Sequence, residues 1–190
     1  DWSSDVCSSD LDPTVATLVG KVLVGGNFSR VHGVGVNSLA RLNTDGTVDL
    51  SFASGTGPDG AVTALAVQND GRVVIGGFFR YVRGVARGGL ARLNIDGSLD
   101  LGFDPGFGAD NPVLALALQA DGRAVVGGGF NTINSTALNF IGRLNLDGTV
   151  DATFNPGPGA NDVVRAVAVQ ADGRILIGGD FTTVGGVARG

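Results

Sequence analysis

The chain has 190 residues, a net charge of −5, 43% hydrophobic residues and only 16% charged ones. That is ample material for a core. Lys21 is the only lysine and no Lys/Arg run occurs, which argues against nucleic acid as a partner, because a phosphate-binding surface needs clustered positive charge. The longest apolar run, Val113–Leu118, is of strand length, far short of the roughly 20 residues of a membrane-spanning helix.

Residues 1–11, DWSSDVCSSDL, hold the lone tryptophan, Trp2, and the lone cysteine, Cys7. They match nothing further on, so they read as a non-repeat leader of artefactual origin, with a genuine but divergent leader as the alternative; they have neither the basic start nor the apolar segment of a signal peptide. With a single cysteine, intrachain disulfides and cysteine-based metal sites are excluded.

The rest is built on one recurring string. LAVQNDGRVVIGGFF (Leu65–Phe79), LALALQADGRAVVGGGF (Leu114–Phe130) and VAVQADGRILIGGDF (Val167–Phe181) are copies of it, preceded by a reduced copy ending in GKVLVGGNF (Gly20–Phe28). The glycine pairs begin at Gly25, Gly76, Gly127 and Gly178, steps of 51 residues. Arg-Leu-Asn at Arg41, Arg92 and Arg143, Asp-Gly at Asp45, Asp96 and Asp147, and Phe52, Phe103 and Phe154 keep the same period. A fixed period of this length marks units that bury their apolar faces on one another.

Each period reads as four strands. The first, Val113–Gln119, alternates Ala115 and Ala117 with Leu114, Leu116 and Leu118. Both its faces are apolar and need covering, and one is small enough for close approach. The second, Arg123–Phe130, carries the paired glycines, which remove side chains where a neighbouring sheet can come near. The third is about Leu90–Asn94. The fourth is about Leu99–Phe103, with Leu99, Leu101 and Phe103 expected on one face. Asp-Gly turns at Asp70-Gly71, Asp121-Gly122 and Asp172-Gly173 join strands one and two, and those at Asp45, Asp96 and Asp147 join three and four. Asp-Gly between β runs is a strong hairpin signal, because glycine adopts positive φ freely. Short hairpins therefore lie at one end of each unit and long loops, such as Arg80–Gly89 and Asp104–Pro112, at the other.

Four antiparallel strands, apolar on both faces and repeated, imply an all-β fold: a β-propeller fragment of four-stranded antiparallel blades with a 51-residue period. The alanine row suits the innermost strand. The expected division is leader and degenerate start 1–19, partial blade 20–61, blades 62–112 and 113–163, and partial blade 164–190. The first copy is expected to lack its first strand, since Asp-Gly-Arg is reduced there to Val19-Gly20-Lys21. The last stops before Leu-Ala-Arg-Leu-Asn, so further blades of the same parent chain are expected to cover the end faces.

The strings A-V-A-V-Q-x-D-G-R-I-L-I-G-G-x-F and R-L-N-x-D-G-T-V-D-x-x-F resemble the bacterial delta-sixty repeat, over about Gly20–Gly190. The resemblance implies a propeller fold and a large secreted or surface-attached protein. It implies no defined biochemical activity.

Several sites follow from residue type. Asn43-x-Asp45-Gly46-x-x-Asp49 and its copies (Asn94, Asp96, Asp100; Asn145, Asp147, Asp151) partly resemble propeller calcium loops with alternating oxygen ligands. Arg41, Arg92 or Arg143 stands where the first carboxylate belongs, so hairpin capping is the preferred reading and no metal is expected. Arg92 is expected to pair with Asp100. Recognition is expected at the long-loop end, where a rigid scaffold presents variable loops; the candidates are His32, Tyr81, Arg83, Arg87, Asp59, Asp110 and Asp162. No catalytic residue is assigned: His32 is the only histidine, and no zinc spacing or phosphate loop is present. The expected function is a non-enzymatic, exported or surface-associated scaffold for protein interaction or adhesion. A carbohydrate-binding propeller using the long-loop face, and a fragment of a propeller hydrolase, are the alternatives. The partner is an unknown protein or glycan, and no cofactor is expected.

Overall fold

The computed structural model describes residues 14–18, 20–52 and 57–189. The leader, with Trp2 and Cys7, lies outside the described residues, as does Val19. The described chain is all-β. The first copy holds β1 (Thr14–Leu18), β2 (Lys21–Gly25), β3 (Arg30–Val31), β4 (Val34–Gly35) and β5 (Leu39–Leu42). The second holds β6 (Val62–Val67), β7 (Val73–Gly77), β8 (Tyr81–Val82), β9 (Val85–Ala86) and β10 (Leu90–Leu93). The third holds β11 (Val113–Leu118), β12 (Ala124–Gly128), β13 (Thr132–Ile133), β14 (Thr136–Ala137) and β15 (Ile141–Leu144). The fourth holds β16 (Val164–Val169), β17 (Ile175–Gly179), β18 (Thr183–Val184) and β19 (Val187–Ala188).

Each of the first three copies is a three-stranded antiparallel sheet, β1-β2-β5, β6-β7-β10 and β11-β12-β15, and the fourth is the pair β16-β17. The inner strands β1, β6, β11 and β16 lie against one another in sequence, so each sheet stacks on the next. Strand two is covered on both sides. Val73 and Ile75 share a cluster with Leu23 and Leu39 of the preceding sheet, while Val74 shares one with Val113, Val126 and Leu144 of the following sheet. Leu23, Val74 and Val125 are at most 1% exposed, but Leu176, their equivalent in β17, is 55% exposed because no described sheet packs over it.

The glycine pair has two separate causes. A Cβ on Gly127 would lie 2.5 Å from Val164 Cγ1, so the first glycine admits the next sheet's inner strand. A Cβ on Gly128 would lie 2.2 Å from the Pro112 carbonyl oxygen, so the second admits the backbone of its own sheet. A register shift between Val113 and Ala115 marks the bulge there.

Three expectations are corrected. The first copy does have its first strand: β1 pairs with β2, Leu18 directly opposite Lys21. The fourth strand of each of the first three blades is reduced to a single bridge, Leu42 to Val48, Leu93 to Leu99 and Leu144 to Val150. After one bridge the chain turns, because Asp100 Oδ1 accepts the Gly102 N–H and the Phe103 N–H bonds the Asp100 carbonyl. Leu101 therefore points to solvent, 69% exposed, while Phe103 is buried, and the two do not share a face. Finally, only one of the two kinds of long loop lacks regular structure. Those between strands two and three, such as Arg80–Gly89, each fold into a two-stranded hairpin, β3-β4, β8-β9, β13-β14 and β18-β19, tied to the loop that precedes strand one through bridges such as Pro58 to Val82 and Ala109 to Ile133.

Candidate functional site

The repeated residues build structure first. Arg92 is 4% exposed; its Nε donates to Asp100 Oδ2 at 2.8 Å, and its guanidinium lies 5.0 Å from the Phe103 ring centroid. Arg41 with Asp49 and Phe52, and Arg143 with Asp151 and Phe154, repeat the arrangement at 2.7 and 2.8 Å. The expected Arg92–Asp100 pair is present. A second cation from the Asp-Gly-Arg turn joins each cluster: Lys21 bonds Asp49, Arg72 bonds Asp100 at 3.0 Å, and Arg123 stands 3.6 Å from Asp151. The Lys21 ammonium, the Ser51 hydroxyl and the Arg41 guanidinium hold the Asp49 carboxyl far below the usual range. For Asp151, hydrogen bonds from Thr153 and the Arg143 guanidinium outweigh burial and lower the pKa to about 2.

The Asn-x-Asp-Gly hairpins are closed internally. Asp45 Oδ1 accepts both the backbone N–H and the hydroxyl of Thr47, and Asn43 Nδ2 donates to Thr47 Oγ1 at 3.0 Å. Asp96 with Ser98 and Asp147 with Thr149 repeat this. A cation-bonded carboxylate and turn-capping oxygens compose this motif.

The seven expected recognition residues take different places. Asp59 and Tyr81 are brought together: Asp59 Oδ1 accepts the N–H groups of Arg80 and Tyr81, both at 2.8 Å. Asp110 does the same for Asn131 and Thr132. In the last copy the equivalent is Asn161, which accepts from Thr182 and Thr183; Asp162 is one residue off and caps the Val163 N–H instead. Arg87 is buried and faces Asp104 at 3.5 Å, so it is a packing residue rather than a displayed one. His32 and Arg83 occupy the hairpin tips at φ 48° and 54°. His32 lines a cavity of about 550 Å³ with Val34, Val48, Leu50 and the Asp45–Thr47 turn of its own blade.

A second candidate lies where the copies differ. Phe78, Arg80, Asp110 and Asn111 line a cleft of about 260 Å³ between the second and third blades at the long-loop end. Phe78 replaces Asn27, Gly129 and Asp180 of the other copies, and it is half exposed. Tyr81 on β8 and Phe107 on the adjacent loop add exposed aromatic surface at the same end, with Phe107 85% exposed. That loop is held firmly: Asp104 Oδ1 accepts the Gly106 N–H, and Asn134 Oδ1 accepts the Phe107 N–H. In the fourth copy the equivalents of Thr63 and Phe78 are Arg165 and Asp180, which form a bidentate ion pair. Phe78, Phe107 and Arg165 escape a reading by residue type, but each is legible as a departure from its own repeat. Aromatic faces beside a guanidinium, a carboxylate and an amide can stack on and hydrogen-bond a sugar, or anchor a protein surface. Among the described residues no group of three or more His, Cys or Asp side chains is placed to hold a metal, and no helix is long and apolar enough to cross a membrane.

A family model described as a domain of unknown function (DUF5122) beta-propeller matches residues 20–52, 68–103, 119–154 and 170–190. No curated protein matches the sequence. Among solved structures, the WD40 beta-propeller domain of Doa1 superposes with a TM-score of 0.57 at 16% identity, covering 87% of this chain and 46% of that one. Virginiamycin B lyase from Staphylococcus aureus gives 0.54 at 17% identity, covering 90% of this chain and 50% of the lyase. A chain of the mitotic checkpoint complex gives 0.53 at 14% identity, covering 83% and 42%. The chain thus spans about half the length of the propellers it resembles, and likeness at these identities concerns the fold alone.

Proposed function

From the premise that the chain belongs to the DUF5122 beta-propeller family, we propose that it is a non-enzymatic propeller scaffold, exported and surface-associated, that recognises a partner through the long-loop end of its second and third blades. The observation that carries this is the contrast between the two ends. At the short-hairpin end the copies spend the same side chains on holding one another. At the long-loop end Phe78, Tyr81 and Phe107 differ from copy to copy and stand exposed on braced loops. Aromatic and arginine side chains dominate binding energy at protein interfaces, so a protein surface is the first reading, with adhesion as its setting.

A glycan is the second reading, favoured by the cleft that sets Phe78 beside Arg80, Asp110 and Asn111. A fragment of a propeller hydrolase is the third reading. A glycan array and a panel of immobilised extracellular-matrix proteins, probed with the chain and with a Phe78→Ala, Tyr81→Ala, Phe107→Ala variant, test both. The wild type binds one panel, and the variant loses that binding while its thermal midpoint stays unchanged. Binding that survives the triple substitution places recognition elsewhere.

A further inference from the structure

The turns at the short-hairpin end are lined with hollows. On the second blade, Asp70 and Arg72 of the Asp-Gly-Arg turn and Asn94, Ile95 and Asp96 of the Asn-x-Asp-Gly turn line one of about 370 Å³. On the third blade, Asp121, Arg123, Asn145, Leu146 and Asp147 line one of about 400 Å³, at the same repeat positions 51 residues on. A hollow of about 480 Å³ between the two blades shares Asp70 and Arg72 with the first and Asp121 and Leu146 with the second. The three join into one open groove, walled by two three-stranded blades, β6-β7-β10 and β11-β12-β15.

The groove has one chemistry, given twice. Arg72 Nη2 holds Asp70 Oδ2 at 2.6 Å and Arg123 Nη1 holds Asp121 Oδ2 at 3.3 Å, and every member of both pairs is more than a third exposed. A guanidinium has five N–H donors and a carboxylate about four lone-pair sites, so each pair has hydrogen-bonding capacity to spare. Ile95 and Leu146 stand beside the pairs, half exposed. Asp70, Asp96, Asp121 and Asp147 outnumber Arg72, Arg92 and Arg123 in the lining, which disfavours a polyanion. Between the blades Gln68 Nε2 donates to the Gly122 carbonyl at 3.3 Å, while Gln68 Oε1 is buried with no donor among the described residues. A hydroxyl that reaches this oxygen relieves an unmet acceptor.

We propose that this groove holds a linear, neutral polysaccharide laid across the second and third blades, with equivalent sugar units in the two equivalent hollows. Hydroxyls exchange hydrogen bonds with the Arg72–Asp70 and Arg123–Asp121 pairs, and the aliphatic ring faces pack on Ile95 and Leu146. Sheets packed face to face stand about 10 Å apart, so the ligand repeats its groups at about that distance, as a linear chain of pyranose rings does roughly every second ring. An extended peptide fits less well. It draws its main-chain bonds from a sheet edge, whereas here the turns close on themselves: the Gly71, Gly97 and Gly122 N–H groups donate to the Gln68, Asn94 and Gln119 carbonyls. The groove lies at the opposite end of the blades from Phe78, Tyr81 and Phe107, so either end can bind without the other.

The test titrates the full chain with cellohexaose, xylohexaose and chitohexaose and with the dimer of each, reading calorimetry and backbone amide shifts. One hexamer is expected to bind saturably and to shift the amides of both hollows together, at residues 70–72 and 94–96 and at residues 121–123 and 145–147. Its dimer, which occupies one hollow at a time, binds at least about tenfold more weakly. Ile95→Ser and Leu146→Ser each weaken the hexamer by about fivefold, and the two together bring it to the level of the dimer, with thermal midpoints close to wild type. The Phe78→Ala, Tyr81→Ala, Phe107→Ala variant binds the hexamer as wild type does. Failure of all three hexamers to bind, equal affinity for dimer and hexamer, shifts confined to one hollow or to the long-loop end, or loss of the hexamer in the triple variant overturns the proposal. So does tighter binding of heparin, or of an extended peptide, at the same amides.

Discussion

Arg92 reaches 54 residues ahead in sequence to donate its Nη1 proton to the Leu146 carbonyl oxygen at 2.6 Å, while its Nε holds Asp100 at 2.8 Å. One buried guanidinium thus closes its own blade and fastens the next. Replacing it with alanine leaves Asp100, 13% exposed, beside Arg72 alone and uncovers the Phe103 ring. Loss of one member of such a pair costs about 3 kcal/mol. Arg92→Lys keeps the charge but not the fork or the stacking, and recovers only part of that. Urea midpoints read both; equal midpoints for wild type and Arg92→Ala would show that the clasp contributes nothing.

Acid should loosen the same clusters. Asp49, Asp100 and Asp151 all have folded pKa values below their unfolded ones. For Asp100, burial raises the pKa, but the Gly102 N–H and the Arg92 and Arg72 guanidinium groups outweigh it. A depressed folded pKa adds stability that is fully present above the unfolded value, near 3.8, and fades as pH falls through the folded value, about 2 for Asp151. The thermal midpoint is therefore expected to be flat from neutrality to near pH 4 and then to drop toward pH 2. Asp151→Asn lowers the midpoint at neutral pH and flattens the drop. A midpoint unchanged between pH 4 and pH 2 contradicts the assignment.

Much of this was legible in the sequence, for identifiable reasons. The 51-residue spacing and the apolar faces of strand two dictate stacked sheets, and Asp-Gly predicts turns that the structure realises, with φ of 84° at Gly122 and 83° at Gly97. Arg92 with Asp100 followed from charge and spacing. The contact to Leu146 did not, because it depends on how consecutive sheets are offset, which no local pattern records. The small hairpins had a signal that was available: His32-Gly33, Arg83-Gly84 and Gly185-Gly186 each put two successive residues at positive φ between short β runs. His32 and Arg83 are therefore turn residues before they are anything else. Asp59 and Asp110 read as displayed carboxylates because a backbone cap and a ligand-binding oxygen look alike in one dimension.

Packing between sheets can be tested at one repeat position in two settings. Gly127→Ala puts a methyl group 2.5 Å from Val164 Cγ1 and 2.9 Å from Val167 Cγ2; such overpacking costs about 1–3 kcal/mol. Gly178→Ala meets nothing nearer than Ala166 Cβ at 3.9 Å and should be neutral or slightly stabilising, since it restricts the unfolded chain. Ala115→Leu, at a buried inner-strand position, belongs with Gly127→Ala. Chemical denaturation of the three variants checks the ranking; equal effects at Gly127 and Gly178 would contradict the close approach of β16 to the third sheet.

Calcium is expected to leave the protein unchanged. Calcium needs six to eight oxygen ligands, yet three side-chain oxygens of the Asn-x-Asp-Gly-x-x-Asp motif are already committed. Asp45 Oδ1 takes two donors from Thr47, and Asp49 uses one carboxylate oxygen for Ser51 and the other for Arg41 and Lys21. A cation entering there would face the Arg41 guanidinium, 2.7 Å from the carboxylate it would have to share, at a repulsion of several kcal/mol in a partly buried setting. Isothermal titration with calcium should give no micromolar binding, and a chelator should not move the thermal midpoint. If calcium raises the midpoint, Arg41 must swing away from Asp49, and Arg41→Ala should then bind the ion more tightly than wild type; the absence of any calcium effect in both proteins supports the capped hairpin.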